Sequence, residues 1–232
     1  MNTVKNFILG ELSGWKKSEA LWFGFCIFST LAVSLYMRDS SVGVAASLTG
    51  TCYTLLAGKG KISCYLFGVV NTLLYSLVSY QNRLYGEVML NLLCYFPMMF
   101  AGFICWKRNL GRDNIIRKTS LNAKERLIYL AATTLGVVIY ALILKKMGDS
   151  QPIIDSLTTV LSVTAMVLTV KRCSDQWLLW ISVNALSVYM WFKAWSSGSG
   201  SAAVLLMWLI ALANGVIFYI KWKRECSPCQ NP

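Results

Sequence analysis

The stretch DQWLLWISVNALSVYMWF, Asp175 to Phe192, decides the fold class, because it is apolar enough to enter a membrane yet holds three Trp and an Asn. A helix of about 20 apolar residues crosses about 30 Å of hydrocarbon. An amide that faces lipid has no hydrogen-bond partner, and this is costly. The stretch therefore predicts a transmembrane helix whose Asn184 faces protein.

The whole chain has the composition of an integral membrane protein. Of its 232 residues 56% are hydrophobic and 14% are charged, and the mean hydropathy is +0.54. One soluble core of this size could not bury so much apolar surface. We predict eight transmembrane helices from eight apolar windows: 19–37, 42–57, 62–80, 85–106, 125–144, 153–170, 176–195 and 202–222.

The net charge of +12 is explained by membrane topology, and we predict no binding to nucleic acid. With the N-terminus inside, the inside segments hold 17 of the 22 Lys and Arg residues, and the outside segments hold 5. Positive residues concentrate on the cytoplasmic side of membrane proteins. We therefore expect a multi-pass protein with both termini in the cytoplasm. The apolar run of the first window is too long for a signal peptide, so we expect this helix to be retained.

The residue types limit the chemistry that the chain can perform. It has no His, and five of its eight Cys lie in apolar windows, where Cys acts as a small buried hydrophobe. Cys226 and Cys229 form a C-terminal CSPC, a weak metal signature on its own, and their role stays open. We predict no metal, no cofactor and, without a catalytic constellation, no enzymatic activity.

Two parts of the chain show a faint internal repeat. The words Trp106-Lys107-Arg108 and Trp222-Lys223-Arg224 close two three-helix segments. Aligning Lys59 with Lys171 and then shifting by one residue matches Cys64, Phe67 and Asn71 with Trp177, Trp180 and Asn184. We predict an all-α membrane fold of two parallel three-helix repeats, joined by a linker helix (3+1+3) and preceded by an N-terminal helix. Parallel repeats predict a site between them near the midplane.

The predicted segments follow from this repeat. They are 1–38 with the N-terminal helix, 39–110 as the first repeat, 111–148 as a basic cytoplasmic loop and linker helix, 149–225 as the second repeat, and 226–232 as the tail.

Helical spacing groups the polar and aromatic side chains into stripes. One stripe holds Trp177, Trp180, Asn184, Ser187 and Trp191, and another holds Asn71 followed by Leu74 or Tyr75. A third holds Glu87, Asn91 and Tyr95, before a Pro97 that should kink the helix and free a carbonyl. A fourth holds Asp155, Thr159, Ser162 and Met166. The predicted substrate-binding residues are Trp177, Trp180, Asn184, Asn71, Tyr75, Asn91, Tyr95, Thr159 and Ser162.

Simpler roles for the same residues stay open. The Asn residues could join helices, and the aromatic stripe could serve packing alone. Glu87 and Asp155 could stabilise helix N-termini at the interface or line a polar mouth.

Three stretches resemble the PnuC family of bacterial vitamin transporters, whose best-known members carry nicotinamide riboside. They are GKGKISCYLFGVVNTLLYS, LYGEVMLNLLCYFPMMFAGFICWKRN and DSLTTVLSVTAMVLTVKRCSDQWLLWISVNALSVYMWF. The resemblance covers residues 39–224 and is most specific in the Trp-x-x-Trp before Asn184. It implies a fold similar to the SWEET sugar transporters and a bacterial inner-membrane location. It also implies facilitated diffusion of nicotinamide riboside for NAD biosynthesis, with uptake driven by a cytoplasmic kinase.

The predicted site residues suit nicotinamide riboside, but other substrates and another role stay open. Trp faces attract a pyridinium cation, and Asn can pair with its carboxamide or ribose. No acid lies in the middle of a span, which favours facilitated diffusion over ion coupling. Asn184 stands where many relatives carry an acid, and Met166 where a Gln is expected. Thiamine, riboflavin, a deoxynucleoside or a sugar are the alternative substrates, a membrane scaffold is the alternative role, and a homo-oligomer is compatible with the sequence.

Overall fold

The computed structural model describes residues 10–11, 14–38, 40–81, 85–111, 114–148, 151–197 and 202–226. These residues are helical or irregular apart from two isolated β-bridges, Leu110 with Ile116 and Thr119 with Cys173. Each apolar window coincides with a long helix to within a few residues. The helices are α1 (Lys17–Tyr36), α2 (Ser41–Lys59), α3 (Cys64–Gln81), α4 (residues 85–107), α5 (Ala123–Lys146), α6 (Pro152–Val170), α7 (Gln176–Ser196) and α8 (Ala202–Glu225).

Four stretches within the described residues are long and apolar enough to cross a membrane: Lys17–Tyr36, Gly86–Lys107, Ala123–Lys146 and Pro152–Val170. On α5, the apolar side chains of Leu127, Leu130 and Leu135 are each at least 60% exposed. Soluble monomers rarely expose continuous apolar surface of this kind, whereas hydrocarbon solvates it. The chain is therefore an all-helical, multi-pass membrane protein.

The chain forms two compact units, Met1–Arg117 (unit 1) and Lys118–Pro232 (unit 2). In unit 1, α1 packs on α2, α2 on α3, and α3 on α4. In unit 2, α5 packs on α6, α6 on α7, and α7 on α8. Each unit thus places one long helix ahead of the three helices of a predicted repeat.

The turn after the first repeat helix has the same hydrogen bonds in both units. A residue with positive φ follows each helix: Gly60, at 82°, directly after α2, and Arg172, at 60°, two residues after α6. The N–H of this left-handed residue and the N–H of the next residue donate to carbonyls of the last turn of the helix. The bonds run from Gly60 to Ala57 and from Lys61 to Leu56 in unit 1, and from Arg172 to Thr169 and from Cys173 to Leu168 in unit 2.

The match continues into the next helix without the expected one-residue shift. The N–H groups of Cys64, Tyr65 and Leu66 bond to carbonyls three residues back, as do those of Gln176, Trp177 and Leu178. The predicted shift is therefore wrong. Tyr65 corresponds to Trp177, and Thr72 to Asn184. The error arose from matching the Asn residues, whereas the turn that precedes both helices fixes the register.

Aromatic packing supports this register. Tyr65 meets Trp106 edge to face at 5.0 Å between ring centroids, and Trp177 meets Trp222 in the same way at 5.8 Å. All four residues are at most 4% exposed. Gly102 leaves the space for Tyr65, because a Cβ there would lie 2.3 Å from its ring. The Trp residues that suggested the repeat thus anchor the third repeat helix of each unit on the second.

Ion pairs tie these ends of the helices together. Glu19 at the start of α1 pairs with Lys59 at the end of α2. Arg126 at the start of α5 pairs with Asp175 ahead of α7, at 2.9 Å between Nε and Oδ1.

A third ion pair joins Lys118 to Glu225 at the end of α8, and the Lys118 ammonium lies 5.0 Å from the Trp222 ring centroid. Burial lowers the pKa of Lys118, and the pairing with Glu225 opposes this shift. The segment before α5 is therefore fixed to the end of α8 through a buried cation.

The helix α4 contains a π-helical segment, Leu90–Tyr95, between the α-helical stretches Tyr85–Met89 and Phe96–Lys107. The N–H of Phe96 donates to the carbonyl of Asn91, five residues back. Pro97 follows directly and has no N–H to donate, and its ring would crowd the preceding turn of a regular α-helix. The distortion predicted from Pro97 is thus a wide turn, of a kind that often marks functional sites.

Candidate functional site

The stripe predicted on α7 lies on its less exposed face. Trp177 is 4% exposed, and Trp180, Asn184 and Ser187 are partly buried. The exposed positions follow the same helical spacing on the opposite face and are Leu178, Ser182, Ala185 and Tyr189. The inward orientation predicted for Asn184 is therefore confirmed within unit 2. The side chain of Trp191 lies outside the described residues.

Asn184 lies against α8. Its Nδ2 would be 3.8 Å from a Cβ placed on Gly215. Its amide makes no hydrogen bond to any residue that the structure describes. A partly buried amide without an internal partner can bind a ligand in both the donor and the acceptor sense. Of the predicted Asn residues, Asn184 has the environment best suited to a ligand.

Two hydroxyls on α6 share this property. Thr158, Thr164 and Thr169 each donate to a backbone carbonyl of their own helix. The hydroxyls of Thr159 and Ser162, by contrast, have no hydrogen-bond partner among the described residues.

Ser162 and Asn184 are equally far in sequence from the tight turn that joins α6 to α7, so both lie about 12 Å along their helix axes from it. Since α6 packs on α7, the hydroxyl and the amide stand at the same depth in unit 2.

The two Trp residues of the Trp-x-x-Trp differ in environment. Trp177 is enclosed by Phe218, at 5.1 Å between ring centroids, and by Trp222. Its buried indole Nε1 has no partner among the described residues. Trp180 is partly exposed, and it forms no ring contact or hydrogen bond with the described residues. Trp180 is therefore the indole that has surface left for a ligand, whereas Trp177 is occupied by its packing against α8.

The predicted residues of unit 1 are more occupied. Asn71 donates from Nδ2 to the carbonyl of Ala46 at 2.8 Å, across α2 and α3. Gly50 makes room for it, since a Cβ there would come within 2.9 Å of the amide. Asn91, 4% exposed, donates to the carbonyl of Glu87 at 2.9 Å, one turn earlier in its own helix. Both amides therefore have structural bonds, and Asn71 retains an acceptor oxygen for a ligand.

The remaining predicted residues are spread along the helices. Tyr75 is 41% exposed, and Tyr95 is partly buried at the end of the π-helical segment. Met166 is buried, and Asp155 lies in the first turn of α6, where a helix N-terminus favours a negative charge.

One polar residue escaped the sequence analysis. Asn214 lies in the middle of α8, is 4% exposed and directly precedes Gly215, which faces Asn184. An Asn within an apolar window is the signal that singled out Asn184, and the same signal was available for Asn214.

The described residues contain no group of three or more Cys, Asp or Glu placed to hold a metal ion. Cys226 donates from its thiol to the carbonyl of Thr119 at 3.2 Å. Its CSPC partner, Cys229, lies outside the described residues.

Unit 2 therefore presents a free indole face, an unpaired amide and two unpaired hydroxyls, and no charged side chain is among them. Such a set suits a small aromatic ligand with several hydrogen-bonding groups. It supplies attraction for a cation through the indole face without placing a formal charge at depth.

Comparisons with known proteins place this arrangement in a family. Residues 40–224 match the family model described as nicotinamide mononucleotide transporter. A nicotinamide riboside transporter PnuC from Neisseria mucosa is 37% identical over 217 residues, which cover 91% of this chain and 82% of that protein. One from Haemophilus influenzae is 31% identical, with 92% of each chain covered.

A solved structure agrees with these relatives. The crystal structure of the vitamin B3 transporter PnuC matches with a TM-score of 0.81 at 36% identity, covering 95% of this chain and 97% of that one. The resemblance inferred from the three sequence stretches is thus confirmed, and the chain belongs to the PnuC family of membrane transporters.

Proposed function

We propose that this protein carries nicotinamide riboside across a bacterial inner membrane by facilitated diffusion. The observation that carries the proposal is the unpaired amide of Asn184 on the inner face of α7, one turn from the free face of Trp180. In a chain of this family, these two groups match the carboxamide and the pyridinium ring of the substrate.

The binding chemistry follows from the contacts of each side chain. The Trp180 face attracts the pyridinium cation, which is worth about 0.5–2 kcal/mol. Asn184, Thr159 and Ser162 supply donors and acceptors for the carboxamide and the ribose hydroxyls. The proposed set also includes Trp177 of unit 2 and, from unit 1, Asn71, Tyr75, Asn91 and Tyr95.

The proposed architecture is eight transmembrane helices in a SWEET-like 3+1+3 order after an N-terminal helix. Both termini lie in the cytoplasm in this proposal, because 17 of the 22 basic residues then fall on the inside. The proposed segment bounds are those given for the repeats above.

The described spans support passive transport. The chain has no His, and Glu87 and Asp155 lie in the first turns of their helices rather than at midspan. No side chain among these groups is suited to carry a proton across the membrane. Net uptake would then depend on a cytoplasmic kinase that phosphorylates the vitamin and traps it inside.

The site favours the riboside over the mononucleotide named in the family description. A mononucleotide carries a phosphate, and burial of that charge requires a cation or several N–H donors. None of the proposed binding residues is Lys or Arg. A phosphorylated substrate would therefore leave its charge without a partner.

The test is exchange in vesicles that contain the purified protein. Labelled nicotinamide riboside should equilibrate with unlabelled riboside without any proton or sodium gradient, and nicotinamide mononucleotide should compete poorly. Encapsulated nicotinamide riboside kinase and ATP should convert equilibration into accumulation. Accumulation driven by an imposed ion gradient alone would refute passive transport.

A further inference from the structure

The register of the two units draws attention to Gly68 on α3, which corresponds to Trp180 on α7. A Cβ on Gly68 would lie 2.9 Å from Cδ2 and 3.1 Å from Cε2 of Tyr53, and 2.5 Å from the sulfur of Met99. The Tyr53 ring on α2 thus lies across the backbone of α3. Together with Met99, it fills the space that a side chain at position 68 would need.

In unit 2 the small residue lies on the first repeat helix and the large aromatic residue on the second. The residue of α6 that corresponds to Tyr53 is Ala165, which is fully buried. The corresponding pairs are therefore Tyr53 with Gly68 in unit 1 and Ala165 with Trp180 in unit 2. Each of these pairs thus holds one aromatic ring, but the ring belongs to the first repeat helix in unit 1 and to the second in unit 2.

The same faces of α2 and α3 also hold the amide of unit 1. Gly50 lies one turn before Tyr53 on α2, and Asn71 lies one turn after Gly68 on α3. Gly50 and Asn71 are in contact, as are Tyr53 and Gly68. Aromatic ring and amide are therefore neighbours in unit 1, one helical turn apart, as Trp180 and Asn184 are in unit 2.

The geometry points to Tyr53 as a substrate-contacting residue that presents an aromatic face to the pyridinium ring of nicotinamide riboside. The inference rests on the proposed function, and it assigns to unit 1 the kind of surface that Trp180 supplies in unit 2. Like Trp180, Tyr53 is neither fully buried nor fully exposed. The face of the ring carries the attraction, so Phe retains most of it.

The experiment measures nicotinamide riboside binding by calorimetry on purified protein, with melting temperature as the check on folding. Tyr53→Leu keeps apolar bulk and removes the ring, so the Kd should rise about 2- to 30-fold. Tyr53→Phe should stay within about twofold of the unaltered protein. The matched control is Tyr80→Leu, which removes a tyrosine of the same unit that is 61% exposed, and it should leave the Kd unchanged.

A double variant separates loss of the ring from loss of folding. Tyr53→Ala with Gly68→Trp copies the arrangement of unit 2 into unit 1, after a small movement of the flexible Met99 side chain. It should bind more tightly than Tyr53→Ala alone, even if Tyr53→Leu melts at a lower temperature.

Two results would overturn the inference: an unchanged Kd in Tyr53→Leu, or equal losses in Tyr53→Leu and Tyr53→Phe. If Trp180→Leu still weakens binding in that case, the proposed function stands and the role of Tyr53 falls. If the unaltered protein does not bind nicotinamide riboside, the proposed function itself fails.

Discussion

Replacing each of two asparagines by leucine should affect stability differently, because the structure gives a hydrogen-bond partner to one amide and not to the other. The amide of Asn184 has no hydrogen-bond partner among the described residues, whereas Asn71 donates to the carbonyl of Ala46 at 2.8 Å. We expect Asn184→Leu to damage binding and leave stability nearly intact. Asn71→Leu should lower stability as well as binding.

The magnitudes follow from these contacts. In Asn184→Leu a polar group of the bound substrate loses its partner in a dry site, which costs about 1–3 kcal/mol and raises the Kd about 5- to 150-fold. Asn71→Leu loses a membrane hydrogen bond of about 0.6 kcal/mol and forces a branched side chain against Gly50, where overpacking costs about 1–3 kcal/mol. Its total loss of stability is therefore about 2–4 kcal/mol.

The assay combines melting curves of detergent-purified variants, recorded without ligand, with calorimetric titration of nicotinamide riboside. Asn184→Leu should melt close to the unaltered protein and bind weakly. Asn71→Leu should melt at a clearly lower temperature. The reasoning is refuted if Asn184→Leu binds normally but melts as low as Asn71→Leu, since Asn184 would then join helices.

Three further expectations concern the ends of the helices. A reporter fused after Pro232 should give a cytoplasmic signal, because the basic residues then lie inside, and a periplasmic signal would reverse the proposed orientation. Burial raises the pKa of the Cys173 thiol to about 12, so peptide mass spectrometry after alkylation near neutral pH should find Cys226 labelled and Cys173 spared. Labelling of Cys173 in the folded protein would contradict its burial. Glu225→Gln removes the partner of the buried Lys118 and should cost about 1–2 kcal/mol, a modest value because Glu225 is 44% exposed. Without the Glu225 carboxylate the pKa of Lys118 in the folded protein falls further, so the unfolded state binds more protons than the folded state. The variant's melting temperature should therefore approach that of the unaltered protein as pH rises. A difference in melting temperature that does not change with pH would exclude this cause.

The helices could be predicted because hydropathy is a property of the chain itself. The windows at 125–144 and 153–170 fall within a few residues of α5 and α6. The alignment of the two repeats was predicted one residue out of register, because it matched Asn71 with Asn184 by residue type. The backbone hydrogen bonds of the turns, which fix the true register, do not depend on residue type and could not be predicted from the sequence. The corrected register pairs Asn184 with Thr72.

The contacts of most site residues could not be predicted from the sequence. The α7 stripe faced inward as its spacing predicted. Asn71, however, donates to a backbone carbonyl, and because every residue has a backbone carbonyl the sequence does not indicate which one accepts. The contact of Tyr53 with Gly68 also depends on which faces of α2 and α3 meet. Pro97 predicted a distortion of α4, but the sequence did not show that this distortion is a π-helical segment.

The order in which the helices pack has a consequence for how the protein is made. Within each unit, the helix contacts described above join neighbours along the chain, from α1 to α4 and from α5 to α8. A helix leaving the ribosome therefore meets its packing partner in the helix inserted just before it, and loop closure costs little entropy. Unit 1 can complete its own contacts, including the clasp of Glu19 on Lys59, while α5 is still being synthesised. Biogenesis can thus proceed as two successive short assembly steps, each of which shields its amides and ion pairs before the next begins.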